Sequence, residues 1–71
     1  MRSARLRRRI HDALGQAEGW VEFEDLRLDV GASRPDLADA LAFMTMKGEV
    51  RCKRGWGARG QSRYRLPGGE D

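Results

Sequence analysis

The sequence predicts a small α+β domain with three helices, a short first strand and a C-terminal β-hairpin. Three observations predict it. Apolar residues recur at helical spacing in the first part of the chain, a Ser-Arg-Pro-Asp segment typical of a helix start follows at residues 33–36, and apolar residues alternate with bases near the C-terminus. We expect a thin core, because a chain of 71 residues buries only about 60% of the surface that its unfolded form exposes.

The first helix is predicted from a one-sided apolar pattern near the N-terminus. Its apolar positions recur at i, i+4, i+7, i+8 and i+11: Leu6, Ile10, Ala13, Leu14 and Ala17. Such spacing lines one face of a helix. Ser3 is a suitable N-cap and Gly19 is suited to end the helix, so we expect about four turns.

A short extended segment and a second, brief helix follow. Residues 20–23, Trp-Val-Glu-Phe, combine aromatic and β-branched types that favour a strand. We expect Trp20 in the core or at its edge. Leu26 and Val30, four residues apart, form the apolar face of the brief helix, and Gly31-Ala32 forms the turn after it.

The third helix has the clearest start. Ser33 is placed to cap it, with Asp36 three residues later as in a capping box. Pro35 falls in the first turn, where its missing N–H costs nothing. The predicted core face consists of Leu37, Ala40, Leu41 and Met44, and Gly48 closes the helix.

The C-terminal hairpin is predicted from alternation. Val50 and Cys52 alternate with bases on its first strand, and Tyr64 and Leu66 do so on its second. This pattern favours a half-buried antiparallel hairpin with those four residues inward, Cys52 as a buried apolar residue, and the bases outward. Residues 55–60, Gly-Trp-Gly-Ala-Arg-Gly, form its long tip. We expect one domain over residues 1–66 and a flexible tail over residues 67–71.

The charges are segregated along the chain more strongly than the net charge of +3 indicates. Residues 1–11 contain five Arg and no acid, and residues 50–66 contain six bases and no acid. Residues 18–49 contain eight acids and three bases. Such segregation is typical of a surface that binds a polyanion. The alternative is that the charge blocks only keep a small protein in solution.

Catalytic and metal chemistry have little support in the sequence. Cys52 is the only cysteine, which excludes an internal disulfide and a zinc site built from this chain's cysteines alone. His11 is the only histidine and is expected on the surface. Gly55, Gly57 and Gly60 match a dinucleotide-binding spacing, but no helix is predicted after them. We therefore expect no enzymatic activity, no metal and no cofactor.

No membrane segment or secretory signal is predicted. The chain has no apolar run near the roughly 18 residues of a membrane span, and its basic N-terminus is not followed by a signal-type apolar stretch. We expect a cytoplasmic protein.

The order and spacing of these features resemble the winged helix-turn-helix domains of bacterial and phage regulators. Residues 5–66 carry the resemblance. The matching positions are Leu26, Val30, Gly31, Ala32, Ser33, Leu37, Leu41, Met44, Gly48 and Val50. The resemblance implies a winged helix-turn-helix fold, with the hairpin as the wing. It also implies double-stranded DNA as the partner, with the third helix in the major groove.

The DNA-contacting residues that follow from this resemblance lie on three elements. They are Arg5, Arg8 and Arg9 on the first helix, Ser33, Arg34 and Asp36 on the third, and Arg51, Lys53, Arg54, Trp56, Arg59, Arg63 and Arg65 on the wing. Arg34 is the only base near the start of the third helix, and Asp36 and Asp39 would repel phosphates. We therefore expect most of the affinity from the wing and the first helix, and a role as a small transcriptional regulator or accessory factor.

A second function is possible for the same fold. On a helical wheel, Phe43 and Met46 fall away from the core face, on the same side as Asp39. Phe43 and Met46 predict a surface for a homodimer. Together with the acids Asp36 and Asp39, they also predict a docking surface for a protein partner, as in a phage-encoded inhibitor or an assembly subunit. Alternatively, Phe43 packs against the first or second helix and only widens the core. A further alternative is RNA or single-strand binding through Trp56 and the basic loop.

Overall fold

A computed structural model of the protein describes residues 4–56 and 61–68, and confirms the coarse α+β class. Within these residues the chain forms three helices and three strands: α1 (Ala4–Gln16), β1 (Val21–Glu22), α2 (Phe23–Val30), α3 (Arg34–Met46), β2 (Arg51–Trp56) and β3 (Gln61–Arg65). Four predictions fall outside the described part of the chain: the N-cap Ser3, the position of Arg59, the side chain of Trp56, and residues 69–71 of the tail.

Helix α1 ends earlier than predicted. Its last residue is Gln16, before the expected terminator Gly19. The N–H of Ala17 donates to the carbonyl of Leu14 at 3.3 Å, a tight turn of the kind that often finishes a helix. Ile10 and Leu14 of the predicted apolar face are buried.

Helix α2 is longer than the sequence indicated. Phe23, expected in the extended segment, is instead its first residue. Glu24 and Asp25 lie in the first turn, where negative charge interacts favourably with the helix dipole. The predicted turn is confirmed: Gly31 has a φ of 69° and donates its N–H to the carbonyl of Arg27, in the left-handed conformation that glycine adopts most easily.

Helix α3 confirms its predicted start and core face. The Ser33 hydroxyl accepts a hydrogen bond from the N–H of Asp36 at 3.3 Å, and Pro35 lies in the first turn. All four residues predicted for the core face are buried: Leu37, Ala40, Leu41 and Met44. Gly48, beyond the end of the helix, has a φ of 81°.

The core joins the three helices to the start of the hairpin. Its buried residues in the described chain are Ile10, Leu14, Leu26, Val30, Leu37, Ala40, Leu41, Met44 and Val50. Burying one Leu or Ile side chain stabilises a fold by about 1.5–3 kcal/mol. Four of the 13 residues of α3 and two of the eight residues of α2 are buried in this core, so packing sets the position of both helices.

The three strands form an antiparallel sheet in the order β1-β3-β2. Tyr64 on the central strand lies opposite Val21 of β1 and Cys52 of β2. The prediction that Cys52 is buried is wrong, because its side chain is exposed. Cys52 shares a sheet face with the half-buried Tyr64, but β2 is an edge strand.

Candidate functional site

The two faces of the sheet differ sharply in chemistry. Tyr64 packs against the core and lies 6.5 Å from the ring of Phe23, so its face of β3 points inward. Side chains alternate along a strand, which places Arg63 and Arg65 on the outer face. Residues directly opposite each other share a face, and Arg51 lies opposite Arg65 while Lys53 lies opposite Arg63.

Strand β1 adds an acid and an aromatic ring to this outer face. Glu22 lies opposite Arg63, and its carboxylate Oε2 is 3.5 Å from Arg63 Nη2. The residue before β1, Trp20, contacts the same bases: Lys53 Nζ is 5.0 Å from its ring centroid and Arg65 Cζ is 5.4 Å away. We call this surface the basic sheet face, and it consists of Trp20, Glu22, Arg51, Lys53, Arg63 and Arg65.

The basic sheet face carries a surplus of positive charge. Its two cross-strand pairs, Arg51 with Arg65 and Lys53 with Arg63, each place like charges directly opposite, an arrangement that destabilises a sheet. The Trp20 ring offsets part of this cost, since a cation over an indole contributes about 0.5–1 kcal/mol at an exposed site. Such a surface is suited to an anionic partner.

Trp20 has a role that the sequence prediction missed. Its side chain is half-buried, as expected for the edge of a core, but the ring lies beneath bases of the hairpin. The signal was present in the sequence. Val21 faces inward opposite Tyr64, so alternation along the extended segment would have placed Trp20 and Glu22 together on the outer face.

The rest of the predicted wing set is less regular. The pairing of β2 with β3 shifts register between Lys53 and Trp56, as at a β-bulge. Arg54 lies in this irregular stretch and is exposed. The bases that the structure assembles on one face are therefore those of the regular ladder, before the bulge.

The bases of α1 divide between structural contacts and solvent. Arg9 Nη1 donates to the carbonyl of Val30 at 3.2 Å, which ties α1 to the last residue of α2. Arg7, which was not among the predicted site residues, lies 4.9 Å over the Phe43 ring. Arg5 and Arg8 are exposed, so these two remain well placed for an external partner.

The one base at the start of α3, Arg34, is hydrogen-bonded within the protein. Arg34 Nε donates to Glu24 Oε2 at 2.8 Å, and Arg27 Nε donates to Glu24 Oε1 at 2.9 Å. Hydrogen bonds from Arg34 and then Arg27 hold the pKa of Glu24 below its ordinary value. The hydrogen bond to Glu24 in turn raises the pKa of Arg34. We call Ser33, Arg34 and Asp36 the α3 start, and its Ser33 hydroxyl serves as the helix cap.

The predicted interface on α3 is only partly exposed. Met46 is 78% exposed, and Asp39 is exposed as well. The interpretation of Phe43 as facing away from the core is wrong: it packs against the core between Arg7, at 4.9 Å, and Lys47, at 5.3 Å from its ring. The alternative of a widened core fits Phe43 better.

One exposed apolar residue was missed. Leu28 on α2 is 69% exposed, since Leu26 and Val30 occupy the buried side of the same helix and a residue between them must point outward. It borders a shallow groove between α1, β1 and α2 with Asp25 and Asp29 at its rim.

The described part of the chain holds no group of three or more His, Cys, Asp or Glu residues arranged for a metal ion. In residues 4–56 and 61–68, none of the helices has the length and apolar character to cross a membrane.

No protein-family model matches the chain, and neither a curated protein nor a solved structure does.

Proposed function

We propose that the protein is a winged helix-turn-helix DNA-binding protein that holds the phosphates of duplex DNA with its basic sheet face. The observation that carries the proposal is the pair of like-charged cross-strand contacts, Arg51 with Arg65 and Lys53 with Arg63. Like charges directly opposite each other do not stabilise a sheet, so this arrangement of four bases favours a role in binding an anion. The element order α-β-α-α-β-β and the strand order β1-β3-β2 support the winged-helix interpretation.

We add the exposed bases of α1 to the proposed phosphate contacts. Arg5 and Arg8 are exposed on the helix that contacts both α2 and β3. Arg9 contributes by fixing α1 against the end of α2. Phosphate contacts position a protein on DNA but do not read sequence, so a surface of this composition favours binding with modest sequence preference.

Base reading by α3 is weak in this proposal. A guanine would have to compete with the Glu24 carboxylate for the charge of Arg34, and Asp36 offers only an acceptor, for example for cytosine N4. A small module of this kind covers about 600–1,000 Å² of its own surface. A regulator or accessory factor of this size gains specificity by binding as two copies, and exposed Met46 is the contact we assign to the dimer.

Salt dependence tests the proposal. Anisotropy titrations with random duplex DNA between about 50 and about 200 mM salt measure the number of phosphates contacted, at roughly 0.9 log unit of slope for each. Arg51→Gln is expected to reduce the slope by ~0.9. Lys47→Gln, which removes the same charge from the end of α3, is the matched control and should leave the slope unchanged. Equal slopes for both variants and the wild type would refute a contact by the basic sheet face.

The second candidate is a protein-interaction module that uses α3. Asp36 and Asp39 are exposed there, and the neighbouring Arg34 is paired with Glu24. A basic protein would be the partner. Loss of that partner in Asp36→Lys/Asp39→Lys, with no effect of Arg51→Gln, is the result that would favour this candidate.

A further inference from the structure

Trp20 is an aromatic surface inside a phosphate-binding face. Its ring is half-buried, with Lys53 Nζ 5.0 Å and Arg65 Cζ 5.4 Å from the centroid. Arg51 lies beside Arg65 on the next strand. An aromatic plane and three cations therefore occupy one small area of the outer sheet face.

This combination matches the two parts of a nucleotide. A base is a flat aromatic ring that stacks on tryptophan, and the phosphates on either side of it are anions. Proteins that hold single strands use this pairing of aromatic side chains with positive grooves, and it tolerates any base because every base has a stacking face. The carboxylates of an acidic peptide would pair with the cations, but they would not stack on the tryptophan ring.

Duplex DNA cannot use Trp20 in the same way. Its bases are stacked on one another and expose only their edges in the grooves. Trp20 lies directly before strand β1, on the broad face of the sheet. Contact between its ring and the face of a base requires a base that has left the stack.

We propose that the basic sheet face binds a single-stranded segment of nucleic acid, with one base stacked on Trp20 and its neighbouring phosphates held by Arg51, Lys53 and Arg65. The inference rests on the proposed function in using the same bases, and adds a strand with unpaired bases as the preferred ligand. Lys53 and Arg65 move from the indole to the phosphates, and the base takes their place over the ring.

Tryptophan fluorescence tests this directly. The chain has two tryptophans, so Trp56→Phe leaves Trp20 as the only reporter. We would titrate this variant with oligothymidylate of about ten nucleotides, within the range of single-strand sites, with a duplex of equal charge, and with polyglutamate. The expected result is saturable quenching by oligothymidylate, and weaker quenching by the duplex and by polyglutamate at equal occupancy measured by anisotropy.

Substitution of the ring provides a second readout. Trp20→Leu is expected to lower the affinity for oligothymidylate by roughly 5- to 150-fold, the range for loss of one stacked base, with Trp20→Phe in between. Phe43→Leu is the matched control, since Phe43 also lies between two cations, on another surface, and its loss should leave the affinity unchanged. Circular dichroism verifies the fold of each variant, and the quenching of intact Trp20 decides the matter if Trp20→Leu unfolds.

The outcomes separate this inference from the proposed function. Duplex binding with no quenching of Trp20 by the single strand overturns the inference and leaves the proposed function standing. Single-strand binding with quenching, and no duplex binding, supports the inference and removes the duplex proposal. Equal quenching by polyglutamate, or binding of neither nucleic acid by the wild-type protein in the anisotropy titrations, overturns the inference.

Discussion

The basic sheet face and the α3 start differ in how their positive charges are arranged. On the sheet, Arg51 and Arg65 lie directly opposite each other, and like charge is concentrated. At the α3 start, Arg34 shares one carboxylate, Glu24, with Arg27, and Asp36 remains exposed. An arginine at a position typical of base reading is therefore not by itself a binding residue. Its contacts within the protein decide how much of its charge a ligand meets.

Reversing the charge of the two exposed acids of α3 should produce the largest change in duplex binding. Asp36→Lys/Asp39→Lys adds positive charge where the resemblance implies the major groove, so we expect tighter duplex binding and a salt slope steeper by up to ~1.8. Asp25→Lys/Asp29→Lys makes the same change at exposed positions of α2 and serves as the control. A similar gain in both double variants would mean that net charge, and not the α3 surface, sets affinity.

The two glutamates that pair with arginine allow a matched comparison. Glu22 lies 3.5 Å from Arg63 on the basic sheet face, and Glu24 is hydrogen-bonded to Arg34 at the α3 start. Glu22→Gln and Glu24→Gln remove the same charge, the first from beside Arg63 and the second from beside both Arg34 and Arg27. We expect a rise of up to ~0.9 in salt slope for Glu22→Gln and a smaller one for Glu24→Gln, measured by anisotropy. The reverse order would make the α3 start the main contact.

Acid titration sharpens the description of the α3 start. The pKa of Glu24 is lowered in the folded protein, first by Arg34 and then by Arg27. A carboxylate of this kind stabilises the fold above its unfolded-state pKa and loses that contribution as the pH falls through the folded-state pKa. The Tm of the wild type should therefore fall more steeply than that of Glu24→Gln below the ordinary value of 4.5. The effect should be small, because exposed ion pairs contribute little; parallel melting curves would show that the pair adds nothing to stability.

A pair of glycine variants separates stability from charge. Gly15 lies in α1, and an added Cβ would meet Leu66 at an ordinary 3.6 Å, so Gly15→Ala should stabilise the fold by about 0.5 kcal/mol. Gly31 has a φ of 69°, and Gly31→Ala should destabilise it by about 1 kcal/mol. Neither variant should alter the salt slope for duplex DNA. A changed slope would mean that folding, rather than charge, governs the titrations above.

The sequence was sufficient to predict elements whose signals are local. Ser33, Pro35 and Gly31 act within a single turn of backbone, so the start of α3 and the end of α2 follow from residue types alone. The α3 core face was equally predictable, since Leu37 and Leu41 lie in one row of the helix. These features depend on neighbours three or four residues away.

The site was harder to predict because its contacts join distant segments. The hydrogen bond between Arg34 and Glu24 spans ten residues. The contact between Trp20 and Lys53 joins the residue before β1 to the opposite edge strand, β2. Cys52 was assigned to the core from alternation, which gives the face of a strand but not its place in the sheet. The exposure of Cys52 follows from the position of β2 at an edge.

That edge position has a consequence for how copies of the protein behave when concentrated. An uncovered edge strand can add a strand from a neighbouring molecule and begin aggregation, and lysines and arginines along the edge oppose this. Strand β2 carries Arg51, Lys53 and Arg54, all exposed, so two such edges approaching each other would repel. The bases that we assign to phosphate binding would thus also prevent self-association through β2, and a variant that neutralises them would lose a safeguard against fibrils as well as its ligand.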